Sequence, residues 1–122
     1  MVHVTFTIHY NTVIGQILRV IGSIDELGNW NEGIEMKYNE GLWTVELEIQ
    51  TIPFNFKFQL YNDVTKEVVW EDCENRLFVL VGAADDVLIE CNWNCPDDTK
   101  IILKKSKAKK STIKKSTSSE FK

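Results

Sequence analysis

Cations are scarce in this chain until its end. Residues 1 to 99 hold five basic side chains, Arg19, Lys37, Lys57, Lys66 and Arg76, against seventeen acidic ones, a balance of −12. Phosphate binding needs clustered cations, so the body of the chain is a poor nucleic-acid surface. Long apolar runs are missing too. Nothing approaches the roughly eighteen apolar residues of a membrane span. The opening MVHVTFTIHY lacks the charged start and continuous apolar run of a secretory signal. A cytoplasmic protein with no membrane span is the expectation. Metal-ligand and disulfide spacings are also lacking. The three cysteines, Cys73, Cys91 and Cys95, are an odd number, and CNWNC has no second Cys or His pair beside it. The expectation is therefore no metal and no cofactor, with structural or incidental thiols.

Sustained helical periodicity is absent as well, and alternation stands in its place. In HVTFTIHY the apolar set Val2, Val4, Phe6 and Ile8 falls on one face, with His3, Thr5, Thr7 and His9 on the other. This is the period of a half-buried strand. LWTVELEIQ and PFNFKFQLY repeat the pattern, and QILRVIG, EVVW, RLFVLV and DVLIEC add short β-branched runs bounded by turn formers. The spacing predicts an all-β fold: a small antiparallel β-sandwich, immunoglobulin-like or an open barrel, of seven to eight strands. A chain of 122 residues is one domain's worth. The expected folded unit is residues 1–98. Residues 99–122, rich in lysine and serine with almost nothing apolar to bury, are expected to form a flexible tail.

Catalytic groupings are scarce. The only histidines, His3 and His9, share the polar face of the first strand with no obvious nucleophile. Acid–base hydrolysis needs two carboxyl groups held at a defined separation with distinct pKa values, whereas the acids here mostly alternate on outward strand faces. The chain is not expected to be an enzyme.

Four tryptophans are the informative residues. Trp43 follows its strand's alternation into the core, and Trp93 falls where the sandwich closes. Trp30 is different, because LGNWNEG sets a large ring among residues typical of exposed turns. Trp70 ends a strand and leads into the polar stretch EDCENR. With Lys57 on an outward strand face and Asn75 in the turn after Trp70, the set offers two flat apolar faces, an ammonium and an amide. Such a set suits a sugar. A pyranose packs its C–H face on an aromatic ring, and its hydroxyls require polar partners around that ring.

The order GQILRVIGSIDELGNW, LWTVELEI, FNFKF and VVWEDCENR, across about residues 2 to 95, resembles the starch-binding domains of carbohydrate-binding module family 20. The resemblance implies non-catalytic binding of α-1,4-glucans such as starch, glycogen and maltooligosaccharides. It also implies a compact site, which falls here on Trp30, Lys57, Trp70, Glu71 and Asn75. A second site of the family uses aromatic residues before the first glycine and ahead of the LW strand. This chain has Ile14 at the first position, which leaves Tyr38 as the sole candidate at the second.

Two other readings use different features. A β-sandwich interaction or adaptor module would present the same indole faces as a protein hot spot. The tail, with nine lysines and one glutamate from Lys100 onward, could engage an anionic partner. A monomer is expected.

Overall fold

The computed structural model describes residues 1–80 and 84–104. Each of the three alternating and four short β-branched runs contributes a strand: β1 (Val2–His9), β2 (Gln16–Gly22), β5 (Leu42–Ile49), β6 (Phe54–Asn62), β7 (Val68–Trp70), β8 (Arg76–Phe78) and β9 (Asp86–Asn92). Three more, β3 (Ile34–Glu35), β4 (Lys37–Asn39) and β10 (Lys100–Lys104), bring the described total to ten against the expected seven to eight. β3 and β4 span two and three residues, too few to show a period.

The strands form two sheets packed as a sandwich. One has the order β10-β9-β1-β5-β4, and the other runs β3-β2-β6-β7 with β8 also on β6. Pairing is antiparallel throughout, except that β1 runs parallel to β9 with Phe6 opposite Ile89.

One face of each sheet is apolar, and the two faces meet. Val4, Phe6 and Ile8 of β1 are fully buried, as are Leu18 and Val20 of β2 and Val87 and Ile89 of β9. Phe54, Phe56 and Phe58 point inward from β6, joined by Phe78 of β8. Phe6 meets Phe56 edge-on, their centroids 5.3 Å apart at 70°, and Phe54 lies 5.2 Å from Phe78. Each ring removed from water contributes roughly 1.5–3 kcal/mol. Trp43 is buried as its alternation implies, and Trp93 is partly buried, with its ring 5.4 Å from that of Tyr10.

Part of the span expected to be a flexible tail forms a strand. Lys100–Lys104 pair antiparallel with β9, which sets Lys100 opposite Glu90 and Lys104 opposite Asp86. The opposite charges of Lys100 and Glu90, directly across the ladder, favour the pairing, and Ile101 and Leu103 stand beside the core residues Ile89 and Val87. Residues 105–122, the remainder of the expected tail, lie outside the described residues. No helix among the described residues is long and apolar enough to cross a membrane.

Candidate functional site

Trp30 closes the 3-10 segment Asp25–Trp30, which winds as two short turns around a kink. Leu27 anchors it in the core, and the backbone N–H groups of Leu27 and Asn29 both donate to the Ile24 carbonyl, at 3.0 and 2.9 Å. Reversal of the chain here needs left-handed backbone. Gly28 supplies it at φ +81°, and Asn29, a residue that tolerates this region, follows at φ +50°. Trp30 itself has φ +61°, which bulky residues rarely adopt and which costs about 1–3 kcal/mol. The segment packs on β2, and Gly22 makes this possible: a Cβ there would lie 2.4 Å from the Asn55 carbonyl oxygen and 2.7 Å from Leu27 Cδ1.

Trp70 arrives from the other side. It is the last residue of β7 and stands opposite Gln59 of β6, on the outer face that Lys57 shares. The indoles of Trp30 and Trp70 lie 6.2 Å apart between centroids and are inclined at 37°. Trp70 is 42% exposed and Trp30 is half-buried. Two rings from distant parts of the chain thus form one aromatic platform.

Lys57 lies on β6 beside this platform. Its Nζ donates to the Glu71 carbonyl oxygen at 3.4 Å, which leaves two ammonium protons for other partners. Asn75 is exposed at the end of the loop that follows Trp70.

Glu71 departs from the expected role. Its side chain is fully buried, and both carboxylate oxygens are engaged inside the protein. Oε1 accepts from the Phe58 backbone N–H at 3.0 Å and from Nη1 of Arg76, and Oε2 accepts from the Asn94 backbone N–H at 2.8 Å. The carboxylate turns inward because a buried guanidinium waits there. Burial works against the charge of Arg76, but the hydrogen bond and charge of Glu71 outweigh it and hold the guanidinium above its ordinary pKa. Removing one partner of such a pair costs about 3–5 kcal/mol. Glu71 is therefore a structural neighbour of the platform.

Arg76, Asn94 and Gln59 were not among the sequence candidates. The alternation of RLF, with Arg76 and Phe78 buried and Leu77 exposed, is the available signal: an arginine on the inward phase of a strand requires a buried acid.

Tyr38 lies on the edge strand β4 of the other sheet. It is half exposed, with its ring 5.1 Å from the cross-strand neighbour Trp43, and Ile14 is fully exposed. His3 is held between two carboxylates, Glu48 at 2.7 Å and Glu46 at 2.9 Å, and His9 is exposed. The cysteines are unpaired. Burial pushes the Cys91 thiol up to about 12, and Cys73 is raised for the same reason. Among the described residues, no group of three His, Cys, Asp or Glu side chains is placed to hold a metal ion.

The sequence pattern of the starch binding domain family matches residues 1–88. Starch-binding domain-containing protein 1 of Rattus norvegicus is 39% identical over 80 residues, which covers 62% of this chain and 23% of that protein. The Homo sapiens protein of the same name is 37% identical over 93 residues, with coverage of 71% and 25%. The chain thus spans about a quarter of the length of these curated relatives. Among solved structures, the glycoside hydrolase family 15 glucoamylase from Hypocrea jecorina superposes with a TM-score of 0.67 at 24% identity, over 75% of this chain and 17% of that one. The family 20 carbohydrate-binding module of a maltotetraose-forming amylase from Pseudomonas saccharophila gives 0.57 at 19% identity, over 70% of this chain and 97% of that one. At these identities the structural likeness shows the fold alone. The family pattern spans most of the described sandwich and includes both platform tryptophans, and the chain belongs to the starch-binding domain family of carbohydrate-binding modules.

Proposed function

We propose that this chain binds α-1,4-glucans, as starch, glycogen or maltooligosaccharide, without acting on them chemically. Glucose rings stack on Trp30 and Trp70 while Lys57 and Asn75 bond to hydroxyls at the rim. The observation that carries the reading is the pairing of the two indoles at 6.2 Å with Trp70 open to solvent. A glucan strand offers successive sugar rings to such a surface, and a single small ligand would fill only part of it.

Magnitudes set what the site can do alone. Covering about 100 Å² of apolar surface per ring at roughly 25 cal/mol/Å² gives about 2–3 kcal/mol for each indole. Hydrogen bonds add about 1 kcal/mol apiece, against an association cost of at least about 4 kcal/mol. The surplus corresponds to a dissociation constant from roughly millimolar to tens of micromolar. Useful retention on a polymer then comes from repetition or tethering. Three unpaired thiols support a cytoplasmic setting for the module.

Retention on amylose and glycogen, with cellulose as control and maltoheptaose as competitor, tests the reading. Retention on the two α-glucans that maltoheptaose reverses is expected. Equal retention on cellulose, or none on any of the three, would overturn it.

A further inference from the structure

A buried ion pair needs a reason, because two apolar side chains of similar size would fill the same volume without the cost of desolvating charge. The positions of Glu71 and Arg76 supply one. Glu71 directly follows Trp70, and Arg76 directly follows Asn75. The pair therefore grips the loop of residues 71–75 at both ends, one residue away from a proposed sugar contact at each end.

Its bonds reach outward to fixed parts of the fold. The Glu71 carboxylate accepts from Phe58 N–H in the middle of β6 and from Asn94 N–H in the turn after β9. Arg76 donates from Nε to Thr99 Oγ1 at 2.9 Å and from Nη2 to the Asn92 carbonyl at 2.7 Å. Asn94 reciprocates by accepting from Asp72 N–H through Oδ1 at 2.7 Å. The backbone carbonyl of Glu71 accepts from Lys57 Nζ, so a third proposed contact is set by the same residue. Every heteroatom of the Glu71 carboxylate and every nitrogen of the Arg76 guanidinium is engaged.

We infer that Glu71 and Arg76 are positioning residues for glucan binding: together they hold Trp70 beside Trp30 and present Lys57 and Asn75 at the rim, without touching the sugar. This rests on the glucan reading above. Neither side chain can meet a ligand from inside the protein, since their exposures are 0% and 2%. Trp70 sits on a three-residue edge strand with solvent on one side, and a strand that short has few ladder bonds of its own to fix its last side chain.

The test uses the full chain and separates the two readings. Indoles this close and inclined couple electronically, so the pair gives an exciton couplet in far-ultraviolet circular dichroism that is absent from Trp30→Phe. Glu71→Gln is compared with wild type for the couplet, for maltoheptaose affinity by calorimetry and for a cooperative melt. Thr99→Val, which removes the acceptor of Arg76 Nε together with the hydroxyl that meets the Cys91 thiol, serves if Glu71→Gln does not fold. Small displacements of a binding group are costly, so the expected result is a diminished couplet with affinity lowered by about tenfold or more in Glu71→Gln, and a smaller loss of both in Thr99→Val. A folded variant that keeps both couplet and affinity would reduce the pair to a core brace and overturn the inference. Lost affinity with an intact couplet would confine the positioning to Lys57 and Asn75 and overturn the part of the inference that concerns Trp70. If wild type shows the couplet and no glucan binding, the glucan reading fails, and the inference that rests on it is overturned with it.

Discussion

Trp70 and Gln59 face each other across the β6–β7 ladder with their exposures inverted: the amide is 4% exposed and the indole 42%. Core packing would place them the other way round, since a large ring gains most from burial and an amide loses most. The inversion arises because β7 is an edge strand and the chain turns inward right after it, taking Glu71 into the interior and leaving the ring of Trp70 outside. The result is an indole left partly at the surface beside a second indole.

Truncation of the ring should therefore separate binding from stability. Trp70→Ala is expected to lose about 2–3 kcal/mol of binding, roughly thirtyfold or more in affinity for maltoheptaose. Its unfolding free energy should stay within about 1 kcal/mol of wild type. Calorimetric titration and a urea melt on one preparation check both. A stability loss as large as the binding loss would make the ring part of the core.

His3 is the chain's clearest proton-linked contact. The hydrogen bond to Glu48, opposed by desolvation and helped by Glu46, raises its pKa above the ordinary 6.5. A raised folded-state pKa means that the folded protein holds the proton more tightly than the unfolded chain. The stabilisation is thus fully present below about pH 6.5 and fades as pH rises through the folded value. The side chains are partly exposed, so salt should screen the effect. An NMR titration of the His3 imidazole should give a value above 6.5, and His3→Gln should flatten the stability profile between neutral and mildly acidic pH. An imidazole that titrates at or below 6.5 would contradict the arrangement.

The seat of the Trp30 turn depends on one missing methyl group. Gly22→Ala would bring a Cβ within 2.4 Å of the Asn55 backbone oxygen and against Leu27, so strand and turn must move apart. Overpacking of this kind costs about 1–3 kcal/mol. It should also weaken glucan binding, because the turn carries Trp30. Thermal denaturation together with maltoheptaose titration would show the joint loss, and an unchanged melting point would mean that the turn does not dock where described.

Much of the fold was legible because a half-buried strand records its environment at every second residue. The inward set Phe54, Phe56 and Phe58 and the outward Lys57 could be assigned before any coordinates. Trp30 and Trp70 were legible for the opposite reason, as large rings where alternation or turn chemistry had no use for them. Glu71 was not, since a carboxylate beside a platform tryptophan suits a sugar equally well, and only the inward-facing Arg76 distinguishes the two roles. The parallel pairing of β1 with β9 leaves no local trace either, because alternation reports a face and says nothing of the neighbour.

β10 shows how composition can conceal a strand. KIILK opens a lysine-rich stretch, and lysines read in isolation as solvated charge, yet here they stand opposite Glu90 and Asp86 on β9. Between them, Ile101 and Leu103 flank Ile89 and Val87, which are fully buried. A chain ended after Thr99 would lose that cover and leave β9 as the sheet edge. It is expected to melt at lower temperature and to self-associate, because an unpaired apolar edge strand is a template for another chain. Lys100→Glu should reproduce part of the loss by setting a like charge opposite Glu90. Melting curves and light scattering on the truncated chain, the Lys100→Glu variant and the full chain would rank the three. If all three melt alike, β10 contributes nothing to the sandwich, and the fold ends where the lysines begin.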